Sequence, residues 1–439
     1  MAVLGIRSLL VLLLASALGP VATAAPARTV GVGPPELISV NTAGQPDDRG
    51  TTFADIDGSG RYVLFDSSAT NMAPPGVHYG GEYLRDRRKG TTTIVARNRN
   101  GKPPREGSWG GDISPNGRFV AYCSWDPDIV RPDSFQYVQN PVGTWQPDTD
   151  VFVRDRRTGE TRRLSSKWNG KESDGASCLP QIADNGDTAF VSRASNLVRD
   201  DADDLGGLFL YDWSGDRLVR PLPRRKQAGA YALSGDGSLL TVLTVRDPDT
   251  AMWEISSLRR GAGMGQGRWE VTSRRADGSR IRARCDPVEI DVSHDGRYVV
   301  GSCSDGAMAS PAVADKNLHL WLIDRKRRTN TLLNPSTWED SSVSAVSVSD
   351  DGRSVLFGSS TSSFAGTPED MGSNVYLWRR GAGITLVTPG AEALQWWPPT
   401  DVELTADGRE GVFISDNLEI SDDDAPGPES EAYVVRFGP

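Results

Sequence analysis

The sequence SVSDDGRSVLFGSS, from Ser347 to Ser360, with Val346 just before it, carries two runs of alternating hydrophobicity (Val346 and Val348, then Val355 and Phe357) on either side of Asp351-Gly352. A period of two across an Asp-Gly pair specifies a tight β-hairpin. The same hairpin is written six more times: DIDGSGRYVLFDS from Asp55, DISPNGRFVAYCS from Asp112, QIADNGDTAFVSR from Gln181, ALSGDGSLLTVLT from Ala232, DVSHDGRYVVGSC from Asp291 and ELTADGREGVFIS from Glu403. Between successive turn glycines (Gly60, Gly117, Gly186, Gly237, Gly296, Gly352, Gly408) the steps are 57, 69, 51, 59, 56 and 56 residues. A long period filled by strand-like runs is the mark of propeller blades.

Each hairpin is followed by a variable loop and a third strand, as at Glu82 to Asp86, Asp150 to Asp155 and His319 to Asp324. A basic or glycine-rich turn comes next, and in six units a fourth strand follows. The seventh unit stops after Phe437, whereas ELISVNTAG from Glu36 to Gly44 reads like the fourth strand and exit of another unit, RRLSSKWNG from Arg162. The expectation is an all-β chain: a seven-bladed β-propeller of four-stranded antiparallel blades, its ring closed by an N-terminal strand. Closure of this kind removes the exposed edges of an open array.

The N-terminal segment has Arg7, an apolar run from Leu9 to Leu14 and an Ala-x-Ala arrangement at Ala22 and Ala24. It reads as a secretory signal cut near Ala24, with Ala25-Pro-Ala27 a neighbouring alternative and an uncut anchor the competing reading. The organisation is then 1–24 signal peptide, 25–35 short linker and 36–439 propeller. That places the mature chain outside the cytoplasm, secreted or periplasmic or associated with the cell wall, with no membrane span after cleavage, as a monomer. The formal net charge of −10 argues against broad nucleic-acid binding, which needs a basic footprint.

Cys123, Cys178, Cys285 and Cys303 suit an oxidising compartment. Folding back around His294-Asp295-Gly296 brings Cys285 to Cys303 as one bridge, leaving Cys123 with Cys178 as the other; buried free thiols are the alternative. None has Cys-x-x-Cys spacing.

In a four-stranded up-and-down blade the first and third connections share one face and the second and blade-to-blade connections the other. The long loops all fall on the latter, where binding residues usually reside. Trp396 and Trp397, then Trp125 and Trp145 bracketing the longest loop, and Trp109, are the candidate binding residues on that face, since indole offers area and a polar N–H. Packing of loops onto blades competes for the same residues. The acidic runs 200–204 and 422–424 match no defined calcium loop and read as solvated turns, so neither metal nor cofactor is expected. The short-turn face collects Arg87-Arg88-Lys89, Arg156-Arg157, Arg259-Arg260, Arg325-Lys326-Arg327-Arg328 and Arg379-Arg380. These read either as a basic docking field for an anionic polymer or as ordinary turn chemistry balanced by Asp86, Asp155 and Asp324. No catalytic signature is present, and His78, His294 and His319 are dispersed.

The seven S-x-D-G-R-x-V-x-F-like hairpins, with third strands such as DVFVRDRRTG from Asp150 to Gly159, resemble the WD40-like repeats of TolB-type propellers over residues 36 to 437. The resemblance implies the fold; TolB itself has six blades and a separate N-terminal domain, whereas seven units are counted here. The expected function is a non-enzymatic binding module that recognises an extracytoplasmic protein or a cell-wall glycan through the long-loop face. The alternative is a carbohydrate-active hydrolase or lyase using loop carboxylates in the central funnel. An acidic pair facing one axial pocket would favour the alternative.

Overall fold

The computed structural model describes residues 30–438 except 73–79, 131–136, 140–144, 200–205, 224–225, 227, 248–251, 261–266, 282–284, 313–318, 334–342, 360–373, 389–400 and 416–429. Seven four-stranded antiparallel sheets account for nearly all its regular structure. The chain is an all-β, seven-bladed propeller, as its repeats predict. Blade 1 is typical: Ala54–Ile56, Tyr62–Ser67, Gly81–Asp86 and Thr91–Ile94, paired in chain order. The first strands of neighbouring blades contact one another all the way round, which sets them innermost, about the axis.

The repeat sequence accounts for each hairpin. Gly60, Gly117, Gly186, Gly237, Gly296, Gly352 and Gly408 all have left-handed backbone, with φ between 62° and 88°. In the blade 6 copy, the Gly352 N–H donates to the Ser349 carbonyl, Ser349 Oγ accepts from the Ser354 N–H at 3.0 Å, and Asp351 Oδ1 accepts from the Arg353 N–H at 2.8 Å. The Ser and Asp side chains of S-x-D-G-R-S therefore satisfy turn N–H groups that would otherwise be orphaned. In five blades the second and third strands set aromatic rings opposite each other: Phe65–Tyr83, Tyr122–Phe152, Phe190–Phe209, Phe357–Tyr376 and Phe413–Tyr433, with centroids 5.6–5.9 Å apart. Cross-strand pairs of this kind stabilise a sheet by roughly 0.2–1 kcal/mol each.

Blade 7 consists of Val402–Leu404, Glu410–Ser415, Glu431–Arg436 and, as its outer strand, Glu36–Leu37. Glu36 lies opposite Val434 and Leu37 opposite Tyr433. The contact extends upstream, where the Gly33 N–H donates to the Arg436 carbonyl, Val32 bridges Phe437, and Val30 enters the core between blades 6 and 7. No helix among the described residues is long and apolar enough to cross a membrane. The predicted signal peptide at 1–24 lies outside the described residues.

Both disulfides form. Cys285–Cys303 joins the first two strands of blade 5, and Cys123–Cys178 ties the second strand of blade 2 to the first strand of blade 3. With separations of 18 and 55 residues, the loop-closure entropy removed corresponds to about 3 and about 4 kcal/mol.

The basic turns are largely used within the blades. Arg61, Arg118 and Arg297 each chelate the aspartate that ends the third strand of the same blade, Asp86, Asp155 and Asp324. Arg87, Arg156, Arg260, Arg325 and Arg380 donate to the carbonyls of the hairpin glycines Gly60, Gly117, Gly237, Gly296 and Gly352. The Arg118 hydrogen bond holds the Asp155 carboxyl down at about 2.

Candidate functional site

Two places in the fold gather chemistry: the axis, and the long-loop face where blades 2 and 3 meet.

On the axis, the decisive position is the opening residue of each repeated hairpin: Asp55, Asp112, Gln181, Ala232, Asp291, Ser347 and Glu403. Each sits on an innermost strand, so a side chain turned away from its own blade core faces the channel and the next blade. Asp55 Oδ2 accepts the Ile113 N–H at 2.7 Å, Asp112 Oδ2 accepts the Ile182 N–H, and Gln181 Oε1 accepts the Leu233 N–H at 2.9 Å. Asp291 Oδ2 accepts the Val348 N–H at 2.7 Å and Ser347 Oγ accepts the Leu404 N–H at 3.0 Å. Blade 7 reaches blade 1 from a neighbouring residue, Asp401 Oδ2 accepting the Ala54 N–H at 3.2 Å. Six of the seven blades thus use a side-chain acceptor to take a backbone donor of the next, forming a belt about the axis. Blade 4, with Ala232, supplies no side-chain acceptor; its turn joins blade 5 through the Asp236 N–H to the His294 carbonyl.

The belt concentrates carboxyl groups about the axis, Asp55 buried and Asp112, Asp291 and Glu403 half-buried. Burial raises the pKa of Asp55, pushes Asp112 well above the usual carboxylate range, and lifts Asp291 to about 7. Burial and then the charge of Asp291 push Glu403 well up. Asp55 and Asp112 share a hydrogen bond, and Ser347 Oγ donates to Glu403 Oε1 at 2.9 Å. Asp55, Asp112, Asp291 and Glu403 line a cavity of about 130 Å³ together with the turn residues Gly58, Pro115, Gly235, His294, Asp350 and Ala406. Turn-to-turn bonds bind its rim: Gly58 N–H to the Pro115 carbonyl, Asp184 N–H to Gly235, Asp350 N–H to Ala406, and Ala406 N–H to Gly58. Across blade 4, His294 Nε2 meets Asp184 Oδ2 at 2.9 Å. Burial opposes the imidazolium, but the bond to Asp184 and the charges of Asp184, Asp350 and Asp236 outweigh it, and the His294 pKa is raised. Only glycine fits beneath this pair, since a Cβ on Gly235 would stand 2.4 Å from His294 Cδ2 and 2.8 Å from Pro115 Cγ.

At the long-loop face the first strand of blade 3, Ser177–Ile182, bulges between Cys178 and Gln181. The bulge puts Leu179 at φ 56°, in the left-handed region, with 62% of its surface exposed. The Tyr231 hydroxyl donates to its carbonyl, and the Cys178 disulfide to blade 2 anchors the residue before it. Beside it lies a groove of about 390 Å³ lined by Ala176, Cys178, Leu179, Val191, Leu208, Ala228 and neighbouring polar residues.

Of the candidate tryptophans, Trp109 and Trp125 come together, half-buried, with ring centroids 4.3 Å apart. Trp109 lies opposite Cys123, beside the same disulfide. Trp145 lies in a small hairpin of the longest loop, Trp145–Pro147 against Tyr137–Gln139. Trp396 and Trp397, and both acidic runs, lie outside the described residues. Trp168 is 46% exposed with the Arg199 guanidinium 4.2 Å above its ring. Sequence reasoning missed the axial belt and Leu179. The belt had a visible signal, the column D-D-Q-A-D-S-E that opens the aligned hairpins; a left-handed leucine before Pro180 had none. Among the described residues no group of three or more His, Cys, Asp or Glu is arranged to hold a metal ion. No protein-family model and no curated protein matches the chain.

Proposed function

We propose that this chain is a TolB-like propeller that works outside the cytoplasm as a binding module, engaging a protein partner through the long-loop face at the junction of blades 2 and 3. The observation that carries the reading is Leu179: a large apolar side chain held out to solvent, in a backbone conformation that costs a non-glycine residue about 1–2 kcal/mol, at the lip of an apolar groove and bolted by a disulfide. Such strain persists where the surroundings enforce it, and it gathers at functional sites. The groove is within the size of small binding sites, and its lining suits an apolar side chain of a partner better than a sugar. The test is capture from envelope extracts with wild type and Leu179→Asp at equal stability. Loss of one discrete protein supports the reading; unaltered capture, or retention on purified wall glycan alone that Leu179→Asp abolishes, overturns the protein partner.

The axial acid pairs favour the second reading, a glycan hydrolase, because such enzymes use two carboxyl groups at one site. Three observations weigh against it. One oxygen each of Asp55, Asp112 and Asp291 is engaged by a backbone donor of the neighbouring blade and Glu403 accepts from the Ser347 hydroxyl, the cavity is about 130 Å³, and the turns around Gly235 crowd its rim. Hydrolysis of a wall glycan that Glu403→Gln abolishes would reverse this ordering.

A further inference from the structure

We propose that the groove between the outer edges of blades 4 and 5 is a binding site for a small polyanion, a ligand carrying two or more phosphate, sulfate or carboxylate groups. The groove has a volume of about 690 Å³ and lies between the outer strand of blade 4, Gly267–Val271, with its exit loop, and the third-to-fourth turn of blade 5. Six arginines line it, Arg268, Arg274, Arg275, Arg280, Arg325 and Arg328, against two carboxylates, Glu270 and Asp277, a net charge of +4 on a chain of −10. Arg275 is chelated by Asp305, and Arg325 is spent on Glu270 and the Gly296 carbonyl. Arg274 donates to the carbonyls of Val271 and Gly278, bonds that hold its guanidinium in place without cancelling its charge. Arg268, Arg274, Arg280 and Arg328 are exposed. The half-buried Trp269 adds an aromatic surface to the lining. Guanidinium groups chelate phosphate and carboxylate in a bidentate manner and stack on rings, so this set recognises anionic groups borne on a ring or short chain.

A second observation concerns the backbone at Arg328. The third-to-fourth turns of blades 1, 2 and 5 read DRRKG, DRRTG and DRKRR, and the last position is left-handed in all three: Gly90 at φ 66°, Gly159 at 77° and Arg328 at 56°. Blade 3 (DWSGD) also has a charged left-handed residue at this position, Asp216 at φ 48°, but it is Arg328 that brings its charge to the basic groove. A residue that strains its turn while supplying charge to a cavity trades stability for binding.

The test is titration calorimetry of the mature chain at about 20 mM and about 200 mM salt, where screening separates ionic binding from other modes. The probes are tripolyphosphate and a sulfated tetrasaccharide. Saturable binding of either probe that weakens with salt is expected, and the one bound more tightly tells a phosphate source from a sulfated-glycan source. Arg328→Gly is expected to melt at a higher temperature than wild type and bind about tenfold more weakly. Arg268→Glu with Arg280→Glu should abolish binding, while Arg353→Glu with Arg409→Glu, equally exposed on blades 6 and 7, should leave it intact. Absence of binding by both probes at low salt, or equal affinity in Arg328→Gly and wild type, overturns the proposal.

Discussion

Asp112→Asn replaces a carboxyl group of the axial belt by its uncharged isostere. Asp112 uses one oxygen to accept the Ile182 N–H and shares a hydrogen bond with Asp55 through its side chain. Asp55 already accepts two backbone donors, Ile113 N–H at 2.7 Å and its neighbour Ile56 N–H at 2.6 Å, which favours its ionised form. The shared proton therefore resides on Asp112, consistent with its pKa being driven up further than that of Asp55. Asparagine reproduces the protonated state: its oxygen accepts from Ile182 and its amide donates to Asp55.

Linkage gives the sign. A carboxyl whose folded pKa exceeds its unfolded value of about 3.9 binds more protons in the folded state, so its contribution is present at low pH and lost as pH rises towards the folded pKa. Each pH unit over which the folded state keeps the proton and the unfolded chain has released it removes about 1.4 kcal/mol. The asparagine variant carries no such proton, so the stability gap between variant and wild type should widen in favour of the variant from pH 5 to pH 8. With an unfolding entropy of roughly 2.1 cal/mol/K per residue over a chain of about 400 residues, that is a divergence in Tm of roughly 1–2 °C per pH unit. The assay is thermal unfolding at pH 5, 6, 7 and 8 at fixed ionic strength. Parallel curves for the two proteins would refute the shared proton. Asp112→Ala provides the contrast: it strands the buried Ile182 N–H and is expected to cost about 1–3 kcal/mol at every pH.

Wild-type stability should be greatest at mildly acidic pH. It falls between about pH 4 and pH 7, where folded Asp291 and Asp148, both lifted to about 7 chiefly by burial, keep protons that the unfolded chain has released, and it falls further as His294, whose raised pKa makes its pairing with Asp184 a low-pH contribution, is neutralised; it falls below pH 4 as carboxylates held low, such as Asp155 at about 2, are protonated. A stability maximum above pH 8 would contradict this. Gly235→Ala should displace His294 and destabilise the chain by about 1–3 kcal/mol, read as a lower denaturant midpoint with unchanged far-ultraviolet circular dichroism. Cys123→Ala with Cys178→Ala should cost up to about 4 kcal/mol and loosen the blade 2–blade 3 seam, seen as faster amide exchange in Ser177–Ile182 than in the corresponding strand of blade 5. Removing residues up to 46 deletes the outer strand of blade 7 and should lower Tm and promote association, measured by light scattering; unchanged values would deny the closure its role.

Most of the fold was legible because its determinants are local. An Asp-Gly turn with alternating flanks needs only about a dozen residues to specify a hairpin, and seven copies at steps of 51 to 69 residues specify a ring. Even ring closure was readable, since Glu36 to Gly44 resembles the fourth strand and exit of another unit, and Glu36–Leu37 does pair on blade 7. The basic turns were legible as charge but not as pairing: Arg61 reaches Asp86 and Arg118 reaches Asp155 only once the second and third strands lie side by side.

The axial site was hidden for a different reason. In an isolated half-buried strand, the polar residues of an alternating pattern face water, and that is the ordinary reading of Asp55 in ADI or Asp291 in IDV. Closing seven blades into a ring turns that outer side of each first strand inward, so residues about 57 positions apart in sequence converge on one small volume and lose much of their solvent. Nothing within any single repeat marks this change of environment. It follows that the belt reports on the ring itself: its acceptors are spent on neighbouring blades, and their titration couples to closure. A partner is then to be sought where the repeats differ from one another, at the bulge that exposes Leu179 and at the turn where Arg328 stands in place of glycine.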